Sequence, residues 1–171
     1  MASLKPSAGI LLLQGEIPAD GFKEAIHHTM GRVVVNLAPV IQVEKSAVLE
    51  ADPIIANEHE AGLILDQFGA GIDSMDPHEL AQALLDAGFA SVVLTLGSAG
   101  ALVADATGIT DIATPTVQAV DTTGAGDAFS GAFCARLIKA ATHAARVGAY
   151  SVQTAGAQAS YPDASVSLPS V

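Results

Sequence analysis

Four short aliphatic runs, separated by segments with helical periodicity, constrain the fold of this chain more than any other feature. The four runs are GILLLQ (9–14), RVVVNL (32–37), DPIIAN (52–57) and SVVLTL (91–96). Runs of this length, bounded by turn residues, are typical of strands buried on both faces of a parallel sheet. The segments with helical periodicity are 20–30, 44–50, 58–67 and 76–87. This alternation predicts an α/β fold with a doubly wound, mostly parallel sheet flanked by helices.

The remaining segments fit one such domain over 1–171, without internal repeats. Residues 101–115 are predicted to form a hairpin with its turn near Ala106–Gly108. After Asp121 the pattern is helical through Lys139, and again from about Ala141 to Ala155. Asp76 before Pro77, with Glu79 three residues after Asp76, is a typical start of a helix. In sheets of this class, ligands bind beyond the carboxyl ends of the strands.

Composition excludes several classes of function. The net charge of -11, with only 7 Lys and Arg, argues against nucleic acid and anionic membranes as partners. A bound phosphate would have to be held mostly by backbone N–H groups and metal. Cys134 is the only cysteine, so there is no disulfide framework, and its apolar surroundings indicate a core residue. No apolar run approaches the roughly 20 residues of a membrane span, and we expect a cytoplasmic protein.

The segment AVDTTGAGDAFSGAF (119–133) has the composition of a ligand-binding helix start. Gly124, Ala125 and Gly126 are predicted to form its first turn, where backbone N–H groups without helical partners and the helix dipole attract anions. Asp127 follows as a candidate general base for a substrate hydroxyl. An anion hole beside a base suits phosphoryl transfer to an alcohol. A glycine-rich helix start, with Asp127 as an ordinary acid of the first turn, fits these residues equally well.

Two rival glycine motifs are absent from this segment. A dinucleotide-binding fingerprint requires a glycine five residues after Gly124, where Phe129 stands. A Walker A loop requires a lysine after Gly131, where Ala132 stands.

The segment DTTGAGDAF (121–129) resembles the C-terminal signature of the ribokinase-like, or pfkB, carbohydrate kinases. Further segments resemble the ribokinase branch of that family in the correct order: LLLQGEIP (11–18), NLAPV (36–40), ANEHEAGLIL (56–65), LTLGSAGALV (94–103) and GAQASYP (156–162). The resemblance implies an enzyme that uses ATP to phosphorylate a sugar hydroxyl, most closely D-ribose to D-ribose 5-phosphate. The alternatives are a nucleotide-binding portion without catalysis, and a kinase for another sugar or nucleoside.

The resemblance also implies residue roles. Asp127 matches the catalytic base, which also contacts sugar and ATP, and Glu16 matches a carboxylate that binds the sugar. Gly124, Ala125 and Gly126 match the anion hole. The implied ATP-binding residues are Asn57, Thr95, Leu96, Gly97, Ser98, Ala99, Gly100, Gly126 and Asp127. Asn57 and Glu60 match a motif that organises Mg²⁺ through water. The implied K⁺ residues are Asp121, Thr123, Ser151, Thr154, Gly156 and Ser160.

The same residues have simpler interpretations when each is taken alone. Asn57 could cap the helix at 58–67, and Glu60 would then complete a capping box. Glu16 could be a solvated loop acid, and Asp121 could be a turn residue.

The sequence departs from the family pattern in three places. The family's N-terminal βαβ region and β-lid, with most sugar contacts and the homodimer interface, have no counterpart here, so we expect an exposed apolar sheet edge. The join between the two C-terminal helices is short. Ala145 stands where the family places an Asn against the adenine.

Overall fold

The computed structural model describes residues 9–135, 140–156, 160–163 and 165–170. Its centre is a six-stranded sheet in which the strands are ordered as they follow one another in the chain. The strands are β1 (Ile10–Gln14), β2 (Arg32–Asn36), β3 (Ile54–Asn57), β4 (Ser91–Thr95), β5 (Ala101–Asp105) and β6 (Gly108–Ile112). β1 pairs with β2, and β2 with β3, in parallel register.

Six α-helices accompany the strands. They are α1 (Ala19–His27), α2 (Lys45–Val48), α3 (Glu58–Gln67), α4 (Pro77–Asp86), α5 (Ala125–Ala135) and α6 (Ala140–Ser151). A short 3₁₀ turn covers Gly97–Ala99. The α/β class with a mostly parallel sheet and flanking helices is therefore confirmed. Among the helices of the described ranges, none is both long and apolar enough to span a bilayer.

The burial of the strands follows their positions in the sheet. β2, β3 and β4 lie inside the sheet, and their central residues are almost completely buried, as the aliphatic runs predict. β1 is the first strand in the order and is less buried, with Ile10 37% exposed. An edge strand has a neighbour on one side only, which explains why an equally apolar run is less covered.

The start of α4 and the turn between β5 and β6 follow local rules visible in the sequence. The side chain of Asp76 accepts hydrogen bonds from the backbone N–H groups of His78 and Glu79, so the predicted cap of α4 is confirmed. The hairpin is also confirmed, since the turn between β5 and β6 lies at residues 106–107.

The chain divides into two compact units. The first unit comprises Met1–Leu94 and Leu102–Thr110, and the second Thr95–Ala101 and Asp111–Val171. In the first unit, Phe22, Val34, Ile54 and Leu80 are fully buried. The assignment of 1–171 to a single domain stays a prediction.

The second unit is built on the contact between α5 and α6. A Cβ atom at Gly148 of α6 would lie 3.8 Å from the Ala125 carbonyl oxygen, so a small residue here allows close approach of the helices. Phe129 and Phe133 stack one turn apart on α5, with ring centroids 6.3 Å apart. Cys134, predicted to be a core residue, is half-buried, and burial raises the pKa of its thiol.

Both helices of the second unit differ from the sequence-based bounds. α5 begins at Ala125, and Gly124 precedes it with a φ of +77°. α6 ends at Ser151, not near Ala155, because the Val152 carbonyl turns to accept hydrogen bonds from the N–H groups of Val120 and Asp121. The predicted helix through Lys139 and the short join lie partly outside the described residues.

Candidate functional site

The start of α5 brings the glycine-rich residues of the sequence together. Gly124 has a φ of +77°, a left-handed conformation that favours glycine. Its carbonyl accepts the first helical hydrogen bond, from the N–H of Ala128 at 2.9 Å. The N–H of Ala125 donates to the Thr122 carbonyl at 3.2 Å. α5 therefore begins directly after Gly124, and the N–H groups in the first turn of an α-helix have no carbonyl partner within that helix.

The surface in front of this helix start is open. A Cβ atom added to Gly126 would meet nothing within 4 Å. Gly126 and Asp127 are exposed, while Ala128, Phe129 and Ser130 behind them are buried. Asp127 is the third residue of the helix, where a carboxylate is favoured by the helix dipole. The geometry is compatible with an anion bound over the backbone and a carboxylate beside it.

Tyr161 is a neighbour of this helix start that sequence reasoning missed. Its hydroxyl donates to the carbonyl of Gly124 at 3.4 Å. Partial burial and the negative charge of Asp127 raise the pKa of Tyr161. The charge of the candidate base therefore acts on the ionisation of the Tyr161 phenol. The signal available in the sequence was only an aromatic residue after Ser160, within the segment GAQASYP (156–162).

Asp121 links the segment before α5 to the segment after α6. One oxygen of its carboxylate accepts from the N–H of Thr123 at 2.9 Å, and the other from the N–H of Gly156 at 3.0 Å. These donors, Gly156 first and Thr123 second, lower the pKa of Asp121. The turn interpretation of Asp121 is thus confirmed, and the carboxylate also has a partner 35 residues away.

Four of the predicted K⁺ residues lie at the end of α6 or after it in the chain: Ser151, Thr154, Gly156 and Ser160. The N–H of Ser160 donates to the Gly156 carbonyl at 3.1 Å, and Ser160 is buried. The Ser151 hydroxyl donates to the Gly148 carbonyl at 2.9 Å, and the N–H of Thr154 donates to the Ser151 carbonyl at 3.5 Å. Hydrogen bonds thus connect Asp121, Gly156 and Ser160, whereas Ser151 and Thr154 share the turn that ends α6.

The loop Thr95–Gly100 is held in a tight, exposed turn. The N–H of Leu96 donates to the Gly100 carbonyl at 2.8 Å. Gly97 has a φ of +56° and Gly100 a φ of +104°. A Cβ atom at Gly100 would lie 2.1 Å from the Ile112 carbonyl oxygen, so only glycine fits there. The exposed residues of the turn are Gly97, Ser98 and Ala99.

Asn57 and Glu60 form a capping box at the start of α3. The side-chain oxygen of Asn57 accepts from the N–H of Glu60 at 2.8 Å, and the Glu60 carboxylate accepts from the N–H of Asn57 at 2.9 Å. The simpler interpretation of this pair is therefore confirmed. Glu16, in the same unit, is an exposed residue two positions after β1.

Ala145, at the position of the family's adenine-side Asn, is buried on α6. Its carbonyl accepts a hydrogen bond from the Thr114 hydroxyl at 3.5 Å. This alanine therefore serves the packing of the second unit and presents no polar side chain.

The model of the family described as "pfkB family carbohydrate kinase" matches residues 5–164. The chain belongs to the pfkB family of carbohydrate kinases. The resemblance drawn from the sequence is therefore confirmed at the level of the family.

Several members of the pfkB family are similar in sequence. Ribokinase of Schizosaccharomyces pombe is 34% identical over 169 residues, which cover 91% of this chain and 52% of that protein. Ribokinase of Haemophilus influenzae is 35% identical over 164 residues, 89% of this chain and 52% of that protein. Deoxyribokinase of Salmonella typhi is 30% identical over 164 residues, 90% of this chain and 53% of that protein. The chain spans about half the length of these curated relatives.

Solved structures of pfkB kinases share the fold. Ribokinase of Thermotoga maritima has a TM-score of 0.83 and 31% identity, over 90% of this chain and 53% of its own. Ribokinase of Arabidopsis thaliana, complexed with ribose and ATP, has a TM-score of 0.73 and 27% identity, over 91% of this chain and 53% of its own.

Proposed function

We propose that this chain carries the phosphoryl-transfer site of a kinase that uses ATP to phosphorylate a sugar hydroxyl, with D-ribose converted to D-ribose 5-phosphate. The observation that carries the proposal is the start of α5. There Gly124 has a φ of +77°, a Cβ atom at Gly126 would meet nothing within 4 Å, and Asp127 occupies the third position of the helix after Ala125 and Gly126. Ribokinases at 34% and 35% identity support ribose as the acceptor.

In the proposed reaction, Asp127 accepts the proton of a sugar hydroxyl as its oxygen attacks the γ-phosphorus of ATP. The bond from the γ-phosphorus to the bridging oxygen breaks, and ADP leaves with the electron pair. The backbone N–H groups from Gly124 to Gly126, at the start of α5, stabilise the charge on the transferring phosphoryl oxygens. Positioning and charge stabilisation supply most of the catalysis in this reaction class.

We assign the nucleotide to the loop Thr95–Gly100, whose glycines let ligand atoms approach the backbone, and to Asn57. Mg²⁺ would be organised by Asn57 and Glu60. The capping box uses one oxygen of each side chain, so the second Glu60 carboxylate oxygen fits a water on Mg²⁺. When bound, Mg²⁺ supplies charge neutralisation of the phosphates.

K⁺ would be held by Asp121, with Thr123, Ser151, Thr154, Gly156 and Ser160 as the other assigned residues. The set fits a hard cation, since it combines an anionic carboxylate with hydroxyl and carbonyl oxygens. The donors that lower the pKa of Asp121 keep its charge at neutral pH. When bound, K⁺ supplies positive charge beside the anion hole.

Glu16 is our candidate for a sugar contact in the first unit. The chain spans about half of its relatives' length. There are two alternatives to the ribose kinase proposed above. The 30% identity to a deoxyribokinase favours a different sugar as the acceptor. The other alternative is a portion that binds nucleotide without turnover. For the complete enzyme we propose a homodimer.

Calorimetric titration of the chain with Mg-ATP tests the nucleotide site that this proposal requires. We expect saturable heat with one nucleotide per chain, and a much weaker signal with Mg-AMP, which lacks the β- and γ-phosphates. No heat at millimolar Mg-ATP would contradict a nucleotide site in this chain. Heat with Mg-ATP but no sugar-dependent turnover would favour the binding portion over the kinase.

A further inference from the structure

Two hydrogen bonds fasten the segment before α5 at both of its ends. At Asp121, the carboxylate accepts from the N–H of Gly156 at 3.0 Å. At Gly124, the carbonyl accepts from the hydroxyl of Tyr161 at 3.4 Å. Both partners come from the chain after α6, and the bond from the N–H of Ser160 to the Gly156 carbonyl joins them. The glycine-rich turn is therefore held from outside rather than by its own residues alone.

We infer that Tyr161 is a positioning residue for the proposed phosphoryl-transfer site, because its hydroxyl holds the turn from which α5 presents Asp127. This inference rests on the proposed function. Tyr161 acts through Gly124, and we assign it no bond to the reacting atoms.

The need for such a contact follows from the backbone at Gly124. Glycine loses more conformational freedom on folding than any other residue, and here it is held in the left-handed region. Its carbonyl already accepts from the N–H of Ala128, which closes the first turn of α5. A carbonyl oxygen has two lone pairs, so the Tyr161 hydroxyl adds a second bond at the same atom. Loss of that bond should increase fraying at the start of the helix.

The position of Tyr161 is itself well fixed. Ser160, the preceding residue, is 2% exposed, so the chain is anchored immediately before the tyrosine. The ring of Tyr161 is 38% exposed, so its hydroxyl lies at the rim of the helix start and not in the core. Removing only the hydroxyl should therefore change the site without disturbing the fold.

The chain offers a matched control, because it contains 2 tyrosines. Tyr161→Phe removes the hydroxyl at Gly124 and retains the ring. Tyr150→Phe removes the same group from α6, where Tyr150 is half-buried and has no proposed role in the site. Comparable thermal midpoints for both variants and the wild type would show that each is folded.

Hydrogen exchange and kinetics together test the inference. We expect Tyr161→Phe to raise amide exchange of Ala125 and Ala128, whose N–H groups donate to carbonyls of this turn, by about 3- to 10-fold, and Tyr150→Phe to leave it unchanged. In the full-length enzyme, Tyr161→Phe should lower kcat by about 3- to 10-fold, with the KM for ATP within about 2-fold. Exchange equal to wild type would overturn the positioning role. Absent kinase activity in the wild type would contradict the proposed function, while the exchange result would still decide the role of Tyr161.

Discussion

The exposed carboxylate of Asp127 follows a left-handed glycine and two small residues at the start of α5. In this position it stabilises the helix through the dipole whether or not it takes part in chemistry. The two roles differ in their kinetic consequences, because a base acts mainly in the transition state.

Replacing Asp127 by Asn separates those roles. We predict that Asp127→Asn lowers kcat by about 10³-fold or more, with little change in the KM for ATP, since proton acceptance is lost while the shape of the side chain remains. Steady-state ADP production over a range of ATP concentrations measures both parameters. Turnover within about 10-fold of wild type would exclude Asp127 as the base.

Gly126 and Gly131 provide a matched pair on α5. Both are exposed, and a Cβ atom at either would meet nothing within 4 Å. Alanine at either position should stabilise the helix by up to about 1 kcal/mol, because alanine loses less backbone entropy than glycine.

The pair should differ in activity. We predict that Gly126→Ala lowers kcat by about 10- to 100-fold, because its methyl group enters the space assigned to the phosphoryl group. Gly131→Ala lies more than a turn away and should keep wild-type kcat. Thermal unfolding and kinetics of the two variants measure these effects. Equal activity of both would leave the glycine-rich start as a purely structural feature.

Asp121 should make stability depend on pH in a defined direction. Its pKa is lowered by the N–H groups of Gly156 and Thr123, so its contribution is fully present above the unfolded-state pKa of about 3.9. The contribution is lost as pH falls through the lower, folded-state pKa. We predict that Asp121→Asn lowers the thermal midpoint at pH 7, and that the gap to wild type closes toward pH 3.

Thermal melts of both proteins between pH 7 and pH 3 measure this effect. Asp73→Asn, at an exposed loop position, is the control and should follow the wild-type curve. A gap that stays constant with pH would mean that the charge of Asp121 does not stabilise the second unit.

At the scale of the element, the start of α3 combines a capping box with a proposed role for Mg²⁺. Glutamine also closes a capping box, so Glu60→Gln retains the cap and removes the charge. We predict an unchanged unfolding temperature, together with about a 10-fold higher Mg²⁺ concentration for half-maximal activity, because a charged oxygen is lost. Titration of activity with Mg²⁺ at fixed ATP measures the shift.

The cap of α4 supplies the complementary control. Asp76→Ala should destabilise the protein by about 1 kcal/mol through loss of the cap, without changing the Mg²⁺ requirement. If Glu60→Gln behaved in the same way as Asp76→Ala, with lower stability and an unchanged Mg²⁺ requirement, Glu60 would be a capping residue only.

Elements with strong local signals were predictable from the sequence. The aliphatic runs gave β1 to β4 within one or two residues, and Asp76 with Pro77 gave the start of α4. Elements that end through tertiary contacts were not predictable from the sequence. α6 ends at Ser151, where the Val152 carbonyl accepts hydrogen bonds from the N–H groups of Val120 and Asp121. No residue near Ser151 in the sequence predicts that contact.

The candidate site also combines features that short sequence motifs predict with contacts that they do not predict. The positive φ of Gly124 and the capping box of Asn57 and Glu60 follow from residue types in short motifs. The bonds from Gly156 to Asp121 and from Tyr161 to Gly124 join residues 35 and 37 positions apart. Such pairs depend on how α5 and α6 pack, which no short motif specifies.

For the molecule as a whole, membership of the pfkB family supports the proposed phosphoryl transfer, and the identity of the acceptor is a proposal. The ribokinases of Schizosaccharomyces pombe and Haemophilus influenzae are about twice as long as the matched region. Glu16 and Asp127 are the two proposed sugar contacts in this chain. The identity of the sugar is therefore best decided by turnover with several acceptors.

The most direct measurement is ADP release from Mg-ATP in K⁺ buffer by the protein at its full natural length. It should be run with D-ribose, 2-deoxyribose, fructose and no sugar, beside the Asp127→Asn variant. We predict release that depends on sugar, is fastest with D-ribose and is lost in Asp127→Asn. Release that is independent of every sugar, or unaffected by Asp127→Asn, would contradict the proposed phosphoryl-transfer site.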